Sequence, residues 1–248
     1  MGLIGGTLGY SLLKKLSKDG NTGYMDGSVY VNKSKLETLL GNDFWHDIRD
    51  KVVIDFGCGT GADSVEMAER GARSVIGIDI QERFLAVARE QASQAGVSDR
   101  CTFATRTDQR ADVIVAIDSF EHFDDPAAIL KTMREMIKPD GCVIASFGPT
   151  WYHPLGGHIY SVFPFSHLLF SESALVRWRS LHKRDGARTI AESGLNKMTI
   201  RRFIRLVEAS PLRFTRFELL PIRPLRLLAN RMTREFTTAA VRCALVPR

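Results

Sequence analysis

"DFGCGTG", residues 55–61, sets three glycines at alternate positions directly after an aspartate and the apolar run Val52, Val53, Ile54. Glycine is entropically costly inside regular structure, so this density means that the main chain itself comes close to something. An apolar run, a glycine turn and a helical pattern from Ala62 bring backbone N–H groups and the positive end of a helix dipole to one point. The string GCGTGA, residues 57–62, also satisfies the looser G-x-G-x-x-A dinucleotide loop, so the glycines alone leave the ligand class open.

Outward from this loop, short apolar runs alternate with helical periodicity, the signature of βα units around a mostly parallel sheet. Strands are expected at 52–56, 74–78, 100–105, 112–117 and 142–147. A helix over 62–70 stops at Gly71, and a second carries Phe84, Val87, Ala88, Gln91, Ala92 and Ala95 on one face and stops at Gly96. Asp125 as N-cap and Pro126 at the first helical position open a third, with Leu130, Met133 and Ile137, that ends at the turn KPDG, residues 138–141.

Past Gly148 the rhythm changes. Residues 149–197 are rich in aromatics, His, Gly and Ser and read as an insertion or lid, with one helix near Ser173 to Leu181. A helix with Ile200, Phe203, Ile204 and Val207 follows, then a strand at Phe214 to Leu220. A further helix with Leu225, Leu228, Ala229 and Met232 precedes a closing strand from Phe236 to Val246. Residues 1–50 hold two expected helices belonging to neither sheet nor insertion. The chain of 248 residues reads as one domain: helical cap 1–50, cofactor core 51–148, lid 149–197, and C-terminal helices and antiparallel strands 198–248.

No run approaches the roughly 18 apolar residues of a membrane span, and the first residues lack the order of a signal peptide, which points to a cytoplasmic protein. Cys58, Cys101, Cys142 and Cys243 stand singly, speaking against a disulfide framework or zinc knuckle. The net charge of +6 is uneven: residues 201–248 hold eleven arginines against three glutamates, a formal +8. Such a face attracts nucleic acid, an anionic membrane or an acidic substrate, or is simply solvated.

Asp55 separates the ligand classes, because a carboxylate two residues before the first glycine welcomes an amine and repels a pyrophosphate. Asp79, closing the second strand, suits ribose hydroxyls in either class. The stretch 52–61 resembles the first motif of class I S-adenosylmethionine-dependent methyltransferases. Residues 111–149, "ADVIVAIDSFEHFDDPAAILKTMREMIKPDGCVIASFGP", are similar to the later motifs of the small-molecule branch of that family. The resemblance implies a doubly wound α/β fold with a seven-stranded, mostly parallel sheet and an antiparallel C-terminal strand. It also implies S-adenosyl-L-methionine as cofactor. Gly57, Cys58, Gly59 and Gly61 would approach its methionine end, Asp55 its amino group and Asp79 its ribose. Ile80 would line the adenine and Asp108 meet its amino group, although the loop "RTDQR" is shorter than usual in the family; Asp118 belongs to the same candidate set.

Methyl transfer from a sulfonium is an in-line displacement, so the protein supplies alignment, plus a base where the acceptor loses a proton. In an open α/β sheet the ligand lies beyond the carboxyl ends of the strands, where the fourth delivers Asp118, Ser119, Glu121 and His122. The fifth delivers Trp151, Tyr152 and His153, with His158 close behind. His122, His153, His158 and His167 are the candidate bases, histidine titrating near neutrality. The histidines with Glu121 and Glu172 suit a metal chemically, but their spacing matches no metal motif, and no metal is assigned. Phe163, Phe165, Leu168, Leu169 and Phe170 either face a substrate or pack the lid on the sheet.

The leading function is therefore methylation of a small molecule. RNA as acceptor is disfavoured, since residues 146–149 are Ser-Phe-Gly-Pro in place of the Asn/Asp-Pro-Pro-Tyr/Phe signature of base methylation. A lipid or quinone-like acceptor is the other alternative. Arg223, Arg226 and Arg234 opposite Leu225, Leu228 and Met232 make that stretch a candidate for peripheral membrane contact.

Overall fold

The computed structural model describes residues 2–17, 33–183 and 185–248. In chain order the elements begin with α1 (Gly6–Leu16), α2 (Lys35–Leu40) and α3 (Phe44–Ile48). The core follows as β1 (Val52–Phe56), α4 (Ala62–Glu69), β2 (Ser74–Ile78), α5 (Glu82–Gln94), β3 (Cys101–Ala104), β4 (Ala111–Ile117), α6 (Pro126–Met136) and β5 (Ile137–Phe147). The insertion holds α7 (Ser166–Leu169) and α8 (Glu172–Arg179). The chain then closes through α9 (Ile200–Glu208), β6 (Leu212–Pro221), α10 (Arg234–Thr237) and β7 (Thr238–Pro247).

The seven strands form one sheet in the order β3-β2-β1-β4-β5-β7-β6, with β1 to β5 parallel and β7 antiparallel to both its neighbours. The doubly wound α/β sheet is thus as expected. Its strand order reverses between β1 and β4, the position beyond whose carboxyl ends open α/β sheets bind ligands. Helices cover both faces, which is why β1 and β4 read as near-continuous apolar runs. On one face Val53, Val75, Val113 and Val115 pack with Leu36, Phe44, Ile48, Met67 and Leu85 from α2 to α5. On the other, Ile54, Ile114, Ala116 and Phe147 pack with Leu130, Met133, Phe203 and Val207 from α6 and α9.

The local signals act as read. Asp125 accepts from the N–H groups of Ala127 and Ala128, each at 3.0 Å, with Pro126 in the first turn. Gly96, at φ +68°, ends α5. Four expectations are corrected. β5 begins at Ile137, not Cys142, because the KPDG residues are taken into the strand: Ala111 pairs with Ile137, and the register then shifts so that Val113 pairs with Cys142. The excess residues bulge, held by Lys138 Nζ at 2.8 Å from Asp112 Oδ1.

The N-terminal segment holds three short helices among the described residues, and they are not independent. Helices α2 and α3 pack on the sheet, whereas α1 buries Leu13 in the insertion's own core of Tyr160, Phe170, Leu175, Trp178 and Ile190. Ile4 pairs with Phe170 as a parallel bridge, and the Trp178 indole N–H donates to Ser17 O at 3.2 Å. Phe170 is accordingly buried within the insertion and not laid on the sheet. Finally, the helix expected across Leu225 to Met232 is a 3-10 turn, Arg223–Leu228, with Pro224 near its start. Asn230 Oδ1 accepts from the N–H groups of Met232 at 2.8 Å and Thr233 at 3.2 Å, a local bond that replaces a helical one.

Phe203 joins these layers. It is fully buried, with ring centroids 5.1 Å from Phe120, 4.7 Å from Phe147 and 6.1 Å from Phe214. Phe203→Ala is expected to lower unfolding free energy by about 3–5 kcal/mol in denaturant titration, and a loss below 1 kcal/mol would show that α9 contributes little.

Candidate active site

The glycine loop is fastened to the neighbouring strand before it can meet a ligand. The N–H groups of Gly57 and Cys58 both donate to Ile78 O, at 2.8 and 3.0 Å, and Gly61 N–H donates to Cys58 O at 2.9 Å. Gly57, Gly59 and Gly61 all have positive φ, at 85°, 51° and 84°, so only glycine takes this path without strain. A Cβ on Gly59 would meet nothing within 4 Å, leaving that turn open to a ligand, while one on Gly61 would lie 2.6 Å from Ala88 Cβ. Gly61 thus serves the close packing of α4 on α5. Cys58 turns its thiol inward, 9% exposed, and burial holds it protonated, so its part in the loop is packing and main chain.

Four carboxylates ring this loop. Asp55 is 3% exposed and accepts from Ser64 Oγ at 2.5 Å. Burial, reinforced by nearby Asp63, raises its pKa to about 7. Asp79 Oδ2 accepts from Gly59 N–H at 3.1 Å and Oδ1 from Gln81 N–H at 2.8 Å, each oxygen retaining a lone pair. Asp63 and Asp118 share the Lys35 ammonium, at 3.8 and 2.9 Å, and burial raises both their pKa values against its field. Asp118 adopts φ +49° and donates its N–H to Ser146 O, which aims the turn after β4 toward this group. An acidic cradle that already receives one alkylammonium fits an amino-acid head and repels a pyrophosphate. The residues present therefore fit S-adenosylmethionine.

The adenine candidates stand apart. Ile80 is 89% exposed beside Asp79. Asp108 lines a cleft of about 380 Å³ with Phe56, Ile78, Thr105, Arg106 and Met136, at the carboxyl ends of β1 and β2.

The turn after β4 brings Glu121 and His122 to His158 of the insertion. Glu121 is 3% exposed; its Oε1 accepts from Gly148 N–H at 3.2 Å, and its Oε2 is buried with no hydrogen-bond partner. His158 Nε2 lies 3.9 Å from Glu121 Oε1, and the imidazoles of His122 and His158 meet edge to face at 5.6 Å. Both rings set Nδ1 against a carbonyl oxygen, His122 at Gly194 O (2.6 Å) and His158 at Gly156 O (3.0 Å). Carbonyls only accept, so each neutral ring is assigned its proton on Nδ1, leaving the Nε2 lone pair for chemistry.

The other histidines are held differently. His153 Nδ1 accepts from Leu155 N–H at 2.9 Å, and burial lowers its pKa to about 4. His167, also lowered to about 4 by burial, sets Nε2 2.7 Å from Trp151 O. Such weak bases serve poorly in taking a proton near neutrality. Glu172 is engaged by Lys197 and by Ile190 N–H, each at 2.7 Å, outside the group of three that gathers Glu121, His122 and His158 within 4.8 Å.

Sequence reasoning missed Lys35, Asp63 and Ser64. The last two were legible in principle, being the first turn of the helix after the glycine loop; nothing in the sequence marks Lys35.

A family described as "Methyltransferase domain" matches residues 29–207. The chain is 37% identical over 123 residues to a ubiquinone biosynthesis O-methyltransferase of Neisseria meningitidis serogroup C, covering 47% of this chain and 50% of that protein. It is 35% identical over 96 residues to the ribosomal protein L11 methyltransferase of Pasteurella multocida, covering 38% and 33%. The chain thus spans about half or less of the length of these curated relatives. Among solved structures, magnesium protoporphyrin IX methyltransferase of Synechocystis PCC 6803 superposes with a TM-score of 0.55 at 15% identity, covering 98% of this chain and 92% of that one. Geranyl diphosphate C-methyltransferase of Streptomyces coelicolor A3(2) gives 0.55 at 14%, covering 83% and 78%. With residues 29–207 matched on this sheet and this loop, the chain belongs to the methyltransferase-domain family, the class I S-adenosylmethionine-dependent methyltransferases that its first motif resembles.

Proposed function

We propose that this chain transfers the methyl group of S-adenosylmethionine to a small-molecule acceptor by in-line displacement. The observation that carries the reading is the acid-ringed glycine loop set beside the Glu121, His122 and His158 group, both at the carboxyl edge of β1 and β4. The cofactor, when bound, supplies a methyl group on a positively charged sulfur. Asp55 takes its ammonium, Asp79 its ribose hydroxyls, and Gly57 and Gly59 let the main chain approach; Asp118 and the Lys35 ammonium complete the methionine end. Ile80 and Asp108 receive the adenine. For a hydroxyl acceptor, an imidazole Nε2 of the Glu121, His122 and His158 group would take the acceptor's proton. His158 is the first choice of base, because Glu121 Oε1 lies 3.9 Å from its Nε2, where it would stabilise the imidazolium, and His122 is the second.

The curated relatives support an acceptor of this kind, their names placing O-methylation in ubiquinone biosynthesis. A lipid-like acceptor taken at a membrane surface is the second reading, favoured by the exposed leucines and arginines of residues 222–237. We place the protein in the cytoplasm, where all four cysteines persist as the free thiols seen here. No helix among the described residues is long and apolar enough to cross a membrane.

Incubation with methyl-labelled cofactor and fractionated cell extract tests the function: label in a low-molecular-weight compound is expected, and label in none, together with no cofactor binding in calorimetry, refutes it. Once the acceptor is in hand, His158→Ala is expected to lower kcat by about 10²- to 10⁴-fold. Cofactor affinity should stay unchanged. An unaltered kcat would remove His158 from the chemistry.

A further inference from the structure

Residues 222–237 join β6 to β7 at a particular end of the sheet. Phe147, the last residue of β5, pairs with Val241, so β7 begins, at Thr238, beyond the carboxyl end of β5. The connection therefore stands on the edge that holds the candidate active site. It touches the insertion there: the Phe236 ring lies 5.6 Å from Tyr152 and 6.5 Å from Phe165.

Its surface combines two properties that are seldom left to water together. Leu227 is 99% exposed, Met232 90% and Leu228 60%, with Phe236 and Tyr152 continuing the apolar area. Single exposed apolar residues are ordinary, but a contiguous group usually marks a contact surface. Between them stand Arg223, Arg226, Arg231 and Arg234, none ion-paired among the described residues. The segment has one acid, Glu235, and it is otherwise occupied: its carboxylate accepts from the N–H groups of Ile200 at 3.1 Å and Arg201 at 2.9 Å, closing the first turn of α9. Thr199, through its hydroxyl at 3.1 Å from Arg202 N, caps the same helix. The local positive charge is left without a neighbouring anion.

We propose that residues 222–237 dock this protein on an anionic lipid bilayer, with Leu227, Leu228 and Met232 entering the boundary between headgroups and acyl chains and the arginines meeting lipid phosphates. The complementarity is that of an interfacial anchor, an apolar tip within a basic collar. The 3-10 turn and the Asn230 turn present the tip without a regular helix, which would keep Leu228 and Met232 on one face but turn Leu227 away from them. Docking here deepens the proposed function, on which this one point rests: the acceptor is lipid-soluble and enters from the bilayer at the edge where the anchor sits.

Co-sedimentation with phosphatidylcholine vesicles, with and without phosphatidylglycerol, tests the proposal on the full chain and needs neither cofactor nor acceptor. Wild type is expected to sediment with the anionic vesicles alone, and less as salt rises. The triple variant Leu227→Ala, Leu228→Ala, Met232→Ala should no longer sediment. The triple variant Arg223→Ala, Arg226→Ala, Arg231→Ala should bind about a hundredfold more weakly, each arginine near an anionic surface being worth about fivefold. All six side chains are exposed, so unchanged circular dichroism should accompany both losses. No sedimentation of wild type with any vesicle, or sedimentation that survives both variants, overturns the proposal. Retention by single-stranded RNA in place of vesicles overturns it equally. Vesicle binding by a protein that fails to bind cofactor would remove the catalytic reading and leave this one standing.

Discussion

Gly59→Val is expected to abolish cofactor binding in a chain that still folds, whereas Gly61→Ala is expected to damage folding. Both glycines sit in the left-handed region, at φ +51° and +84°, so each substitution carries a backbone penalty of about 1–2 kcal/mol. They differ in what a side chain meets. Around Gly59 there is open space, so the isopropyl group projects where the ligand's main-chain contact would form, and the cofactor Kd should rise more than a hundredfold. At Gly61 a Cβ lies 2.6 Å from Ala88 Cβ and 3.0 Å from Phe103 Cε1, so α4 and α5 must separate. Overpacking of about 1–3 kcal/mol adds to the strain there, giving a loss of roughly 2–5 kcal/mol, a large share of a typical domain's roughly 5–15. Denaturant titration and calorimetry on the two variants separate the effects. Wild-type cofactor affinity in Gly59→Val would remove the loop from the site.

The contrast between these glycines shows what one sequence makes legible. Three glycines after Asp55 announce close approach, and the strands, the Asp125 cap and the Gly96 stop follow from local rules because tertiary packing agrees with them. Which glycine faces ligand and which faces helix depends on Ala88 and Phe103, distant in sequence. The same holds for the histidines: of four near-equal candidates in sequence, His122 and His158 gather with Glu121, while His153 and His167 are held by main-chain partners within the insertion. Lys35 carries no local signal at all, since its importance comes from Asp63 and Asp118 meeting it across the loop. The helix expected at Leu225 to Met232 gives way to a 3-10 turn because the Asn230 side chain accepts from the N–H groups of Met232 and Thr233, outcompeting one marginal helical turn.

Asp55→Asn should stabilise the cofactor-free protein and cripple it as a binder. Burial, then the charge of Asp63, raises the Asp55 pKa to about 7, well above the ordinary carboxyl range, with the Ser64 hydroxyl and Lys35 opposing. A raised carboxylate pKa means that the folded state prefers the protonated form. Stability from this group is whole below about pH 4 and falls as pH rises through 7, where ionisation in place costs up to about 4 kcal/mol. Asparagine keeps an acceptor for Ser64 without the charge. The variant should therefore match wild type near pH 4 and exceed it near pH 8 in denaturant titration. Ligand binding runs the other way. An ammonium beside Asp55 favours its ionised form, so binding below pH 7 must expel a proton and affinity should fall about tenfold per unit of pH. Calorimetry in buffers of different ionisation enthalpy should register that released proton for wild type and none for Asp55→Asn, whose affinity should be weak and flat with pH. A variant less stable than wild type near pH 8 would mean that the buried carboxylate is held ionised for structural reasons. In that case the cradle owes its charge to the fold; if instead both signs come out as expected, the protein tolerates an unfavourable buried acid because a cation completes it.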